Sequence, residues 1–304
     1  MLSHKRVYMQ KPIKKIAITG GTHGNELTGV YLVNKFKANP DIVKRDSFET
    51  IVMHTNKKAI EKCRRYIDKD LNRRFGKTNL QDPSKSCYED ISAKLINQKL
   101  GPKGAEEPQV DFIVDLHSTT SNMGLSIVID NDNELSWQVA AYLKEKEPGV
   151  NIFRWKGDTG DASFVHTIAP NGFAIEVGAI PQGVVRADLF FETEKLVHHI
   201  LDFFESLNSG SMKRRAGEIE IYDYIELVDF PRNAQGDIVG MVHPDLQDND
   251  YVTISKGDPL FIDLNGDAIV YDDEEHVHAL FINEAAYYEK GFAMCLAKKG
   301  TRTL

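Results

Sequence analysis

The chain predicts an α/β layered fold followed by a smaller all-β part. Three observations carry that expectation. As far as Leu207, short β-branched runs alternate with helical patterns, which is the signature of a largely parallel or mixed sheet. The polar stretch Asn208–Arg215 (NSGSMKRR) then interrupts the alternation. Beyond it, short strands are separated by turn signals such as PRNAQGD, SKGD and DLNGD, where Asx-Gly and Gly-Asp pairs suit tight turns. The expected division is an α/β domain over 1–210 and a β domain over 211–304.

The elements follow in order. Lys15–Thr19 (KIAIT) reads as a strand, and Glu26–Phe36 as a helix, because Leu27, Val30, Tyr31, Val33 and Phe36 recur at a helical period. Glu49–Met53 (ETIVM) is the next strand and Tyr88–Leu100 the next helix. Phe112–Leu116 (FIVDL) and Leu125–Ile129 (LSIVI) are apolar enough for buried strands. Glu134–Lys146 is helical, Phe173–Val177 (FAIEV) a strand, and Ala187–Leu207 a long amphipathic helix.

Composition narrows the function. The 304 residues are 41% hydrophobic and 27% charged, enough to bury a core without disulfide staples. Net charge is −8, and residues 211–304 hold 9 Lys/Arg against 18 Asp/Glu. An acidic chain without a basic stripe argues against nucleic-acid binding. No run approaches the ~20 apolar residues of a membrane span, and MLSHKRVYMQKP lacks the apolar core of a secretory signal. Cys63, Cys87 and Cys295 are odd in number and widely spaced, which fits a reducing, cytoplasmic setting. A metal here would therefore use His and carboxylate ligands.

Four segments carry candidate chemistry. TGGTHGNELTG ends the first strand, and its His23 and Glu26 lie three apart on entering a helix, a spacing that shares one helical face. A Gly-rich phosphate loop is the alternative, although no GxGxxG or Walker lysine is present. Asp115 and His117 close the strand FIVDLH, either as a capped strand end or as a third ligand with a carboxylate behind a histidine. Glu176 lies in the apolar strand GFAIEVG, where a carboxylate needs a partner or a task such as general base. Arg64, Arg65, Arg73 and Arg74 flank Asn72. Arginine forks suit carboxylates, while Arg64 and Arg74 read as solvated.

Together GGTHGNELTG, CRRYIDKDLNR, DLHSTTSNMG, IEVG-x-x-PQGVxRAD and INEAAYYEK resemble the aspartoacylase branch of the zinc carboxypeptidase-like superfamily, in the family's order. The resemblance implies a mixed sheet flanked by helices, with a C-terminal β domain narrowing the active-site entrance. It implies one zinc ion per chain, held by His23, Glu26 and His117, with Glu176 as general base and acid. Arg65 then polarises the scissile carbonyl, Asn72 and Arg73 hold a substrate carboxylate, Tyr287 reaches back into the site, and Glu284 positions its loop. The implied activity is hydrolysis of the amide of an N-acyl amino acid, with N-acetylaspartate as first substrate and N-acyl aromatic amino acids, mercapturates or N-succinylglutamate as alternatives. A non-catalytic ligand-binding protein on this scaffold is the reading from another class. The expected partner is that small molecule, without nucleic acid or membrane, and homo-oligomerisation is left open. One departure stands out: the family's side-chain-binding arginine and tyrosine are His166 and Ala162 here.

Overall fold

The structure is a computed structural model and describes residues 11–156 and 161–304. Most of the N-terminal segment weighed above as a signal, and the four residues 157–160 shortly before Ala162 and His166, lie outside the described residues. The strands are β1 Lys15–Gly20, β2 Glu49–His54, β3 Phe112–Ser118, β4 Gly124–Ile129, β5 Asn151–Arg154, β6 Asn171–Gly178 and β7 Glu218–Val228, followed by β8 Gly240–Val242, β9 Thr253–Ile254, β10 Pro259–Asp263, β11 Ala268–Val270, β12 Val277–Leu280 and β13 Met294–Thr303. The helices are α1 Leu27–Ala38, α2 Lys57–Glu61, α3 Lys77–Gln81, α4 Tyr88–Leu100, α5 Glu134–Lys146 and α6 Ala187–Asn208.

Ten strands form one sheet in the order β2-β1-β3-β6-β4-β5-β7-β13-β12-β9. The β2-β1-β3-β6 block is parallel. β4 runs antiparallel to β6, which makes the sheet mixed. Helices α1, α5 and α6 cover one face over a core containing Phe36, Phe112, Trp137, Phe173 and Phe204. The other face packs Ala17 and Ile113 against Ala93, Ile96 and Leu100 of α4. Close helix-sheet approach depends on Gly29 of α1, where an added Cβ would come within 2.6 Å of the Leu116 carbonyl oxygen.

Beyond residue 210 the chain is all β apart from one 3₁₀ segment, Ala285–Lys290. β8, β10 and β11 make a separate three-stranded sheet, with a core that includes Phe230, Leu260 and Phe261. β7 and β13 continue the main sheet: Phe153 of β5 pairs with Tyr222 of β7 in parallel.

Candidate active site

The site forms at the carboxyl ends of β1, β3 and β6, where open α/β sheets present ligand sites. Leaving β1, the chain turns through residues 21–26 before α1. Sequence spacing placed His23 and Glu26 on one helical face. Instead Glu26 is the residue before α1, and its N–H donates to the His23 carbonyl at 3.2 Å. A tight turn therefore brings them together. Gly24 permits it, because a Cβ there would strike the backbone of Ala59.

His117 of β3 completes the group. One potential ligand atom from each of His23, Glu26 and His117 lies within 4.8 Å of the others, and all three residues are buried. His117 Nδ1 is 2.9 Å from Glu26 Oε2. His23 Nδ1 is 2.6 Å from Glu26 Oε1, yet that buried nitrogen has no hydrogen bond. A cation between the three would satisfy it. Their outer nitrogens are held from behind: His23 Nε2 by Asp70 Oδ1 at 3.0 Å and His117 Nε2 by Asp115 Oδ2 at 2.7 Å. Thr19 and Thr22 hydroxyls donate to Asp115 in turn. A carboxylate on one imidazole nitrogen aims the other at a metal, and two histidines with a glutamate are a known catalytic zinc set. Burial would raise the Glu26 carboxyl, but His23 and His117 together hold it far below the usual range.

Glu176 sits in β6, in register with His117 on one side and Ser126 of β4 on the other. Burial pushes its pKa up to about 8 against the pull of His117, with Glu26 and Glu284 adding to the rise. Arg65 donates to Glu26 Oε1 at 3.0 Å and to Asp70 Oδ2 at 3.5 Å. Asn72 accepts from the Val165 N–H at 3.0 Å, and its amide nitrogen lies 3.4 Å from His117 Nε2. Arg73 donates to the Asn72 carbonyl at 3.0 Å. Arg64 is exposed, but Arg74 is half-buried and pairs with Asp90 at 3.6 Å, so the solvated reading holds for Arg64 alone.

Tyr287 arrives from the C-terminal part. Burial and the nearby Glu176 hold its hydroxyl well above the usual tyrosine range. Its loop is latched by Glu284, which accepts from the Thr119 hydroxyl, from Thr120 N at 2.6 Å and from Ser121 N at 3.3 Å. Lys290 Nζ also meets Asp70 Oδ2 at 2.7 Å.

His23, Arg65, Asn72, Arg73, Glu176 and Tyr287 line one cavity of about 220 Å³, with Phe153, Trp155, Phe164, Phe281 and Phe292 on its other walls. Glu26 and His117 sit behind it. A second cavity, about 300 Å³, backs onto the first across Asp130 and His166. His166 lines the first cavity, but its ring is already engaged: its Nε2 is 3.0 Å from Asp130 Oδ1. Arg154 is likewise committed to Asp223. Sequence reasoning missed Asp70, although its segment was singled out. DKDLN carries two aspartates, and only the 3₁₀ turn Leu71–Arg73 decides which one faces inward.

A strand-end group of this kind on a mixed sheet is the setting of hydrolases that remove acyl groups from N-acyl amino acids, and comparison with known proteins bears that class out. Residues 12–204 match the succinylglutamate desuccinylase/aspartoacylase catalytic domain and residues 217–299 the AstE/AspA barrel-sandwich hybrid domain. The chain belongs to this family and is an amidohydrolase. It is 47% identical to a "Probable aspartoacylase" of Trichodesmium erythraeum over 95% of this chain and 98% of that one. It is 40% identical to the N-acyl-aromatic-L-amino acid amidohydrolase (carboxylate-forming) of Mus musculus over 95% and 92%. The crystal structure of murine aminoacylase 3 superposes with a TM-score of 0.93 at 40% identity, covering 97% of this chain and 98% of that one.

Proposed function

We propose that the chain is a zinc-dependent amidohydrolase, with His23, Glu26 and His117 as ligands, Glu176 as the proton-transfer group and residues 211–304 narrowing the entrance. The observation that carries this reading is the convergence of three buried ligand atoms, each histidine backed by its own aspartate. Zinc, when bound, supplies Lewis-acid polarisation and a water of lowered pKa. Glu176 is placed to accept a proton from the attacking water and to return it to the leaving amine, a double task suited to a carboxyl whose proton affinity is raised by burial. Arg65 stabilises charge developing on the carbonyl oxygen. Arg73, with the side-chain amide of Asn72, holds the α-carboxylate. Tyr287 and Lys290 bring the C-terminal part to the same cavity.

The resemblance puts N-acetylaspartate first, whereas the cavity favours a neutral, aromatic side chain. Its cations are largely spoken for, Arg65 by Glu26 and Asp70 and Lys290 by Asp70, and the His166 ring is engaged by Asp130. Among the described residues Arg73 alone lines the cavity without an anionic partner. One such cation suits one carboxylate, and the aromatic walls suit an apolar payload. Unpaired Cys63, Cys87 and Cys295 support the cytoplasmic assignment. The test is metal analysis plus a turnover panel on purified, zinc-loaded protein. N-acetylphenylalanine is expected to exceed N-acetylaspartate in kcat/KM. The reverse order would return the substrate to N-acetylaspartate, and no turnover of any N-acyl amino acid would overturn the proposal.

A further inference from the structure

An arginine that takes a substrate anion has to be held still without an anion of its own, since a protein carboxylate would compete for the same planar fork. Arg65 is the opposite case, pinned by Glu26 and Asp70. No carboxylate among the described residues lies within ion-pairing distance of Arg73. Two other contacts hold it: Nη1 donates to the Asn72 carbonyl at 3.0 Å, and the guanidinium lies 4.9 Å from the centre of the Phe164 ring. A ring face attracts a cation through its quadrupole and leaves the in-plane N–H donors free.

The ring is itself fixed. Phe164 immediately precedes the 3₁₀ turn Val165–Ile168. On either side of it, Val165 N donates to Asn72 Oδ1 at 3.0 Å and Phe75 N to the Ser163 carbonyl at 3.2 Å. Both bonds tie the ring's backbone to the segment that bears Arg73. The His166 ring also lies nearly parallel to Phe164, at 13° and 5.6 Å. His166 Nε2 is held at 3.0 Å by Asp130 Oδ1, just past the end of β4, and both side chains are only 3% exposed. A series of contacts thus runs from a strand end to the guanidinium: Asp130, His166, Phe164, Arg73.

We infer that Phe164 is a positioning residue for the reaction, setting the plane of the Arg73 guanidinium, with the His166–Asp130 pair setting the ring. This rests on the deacylase reading above, in which Arg73 binds the α-carboxylate. It gives His166 a task in place of the side-chain anchor expected at that position: it supports the clamp rather than touching substrate.

The test is a kinetic double-mutant cycle on the zinc-loaded full chain with N-acetylphenylalanine. Phe164→Leu keeps an apolar side chain and removes the ring face. It is expected to raise KM about five- to thirtyfold while leaving kcat, zinc content and Tm near wild type. Phe164→Tyr restores the ring and should restore KM, and Asp130→Asn should raise KM in the same sense. In an Arg73→Ala background, Phe164→Leu should add nothing further to KM. Equal effects of Phe164→Leu with and without Arg73 would overturn the inference and make Phe164 a plain cavity wall. An unchanged KM in Arg73→Ala alone would overturn the carboxylate assignment itself. Should Phe164→Leu fail to fold, Phe164→Met and Asp130→Asn carry the same comparison.

Discussion

Neither Asp70 nor Asp115 lines the cavity, yet each is hydrogen-bonded to the outer nitrogen of a proposed ligand. Asp70→Asn or Asp115→Asn is expected to weaken zinc binding about 10–100-fold, read by chelator competition; wild-type affinity in both would refute their role behind the metal. Glu176→Gln keeps shape and removes the proton acceptor, so zinc should stay bound while kcat falls about 10²–10⁴-fold. A fall of less than about tenfold would point to another base. Arg65→Ala should lower kcat more than it raises KM, because the proposed contact is made to charge that develops in the transition state. At this scale the sequence revealed most where a residue type is costly without a task, as with Glu176 in an apolar strand. It revealed least where the role depends on a partner far along the chain. Asp70 finds His23 47 residues earlier, and Asp130 finds His166 36 residues later.

Helix α4 contributes one buried carboxylate to a loop it does not belong to. Glu89 accepts from the N–H groups of Ile67, Asp68 and Lys69 at 2.8, 3.0 and 3.1 Å and from Asn56 Nδ2 at 3.3 Å. The loop between Arg65 and Asp70 is thereby clamped to the start of α4. Hydrogen bonds to a charged group contribute roughly 1.5–3 kcal/mol, so Glu89→Gln should cost about that much in a denaturant titration and lower kcat/KM by loosening Arg65. Unchanged stability would mean that the loop holds itself. Long elements were legible: α4, α5 and α6 begin where periodicity places them, because each has a wide apolar face. β5 was missed, since Asn151–Arg154 is four residues long and offers no alternation to read. The short α2 and α3 fail for the same reason.

Across the whole molecule, Asp250 joins the β3–β4 connection to the segment after β12. Its carboxylate accepts from Asn122 N at 2.9 Å and from Ile282 N at 3.0 Å. Burial pushes its pKa up to about 7 despite those bonds. The native state thus holds this proton more tightly than the unfolded chain does. The stabilisation is full below the unfolded value of ~4 and is lost as pH rises toward about 7. Its slope is at most about 1.4 kcal/mol per pH unit. Asp250→Asn should flatten that part of the stability profile, measured by chemical denaturation between pH 4 and 8. Identical profiles for wild type and variant would refute it. The composition break near Asn208 was legible, but the continuous sheet was not, since nothing in a strand's own residues names its neighbour.

The latch between Glu284 and the segment Thr119–Ser121 has a consequence for recombination. That segment follows His117 by only a few positions, so the Tyr287 loop and a proposed metal ligand are tied to one stretch of backbone. A chimaera joined in the 209–216 stretch, with its C-terminal part from a relative, would sever three matched sets at once: β5 with β7, Glu284 with Thr119 and Thr120, and Lys290 with Asp70. Such hybrids should fold and turn over only when the donor's counterparts of Asp70 and Thr119–Ser121 travel with its C-terminal part. The heritable unit is therefore this set of contacts, scattered on both sides of the obvious crossover point.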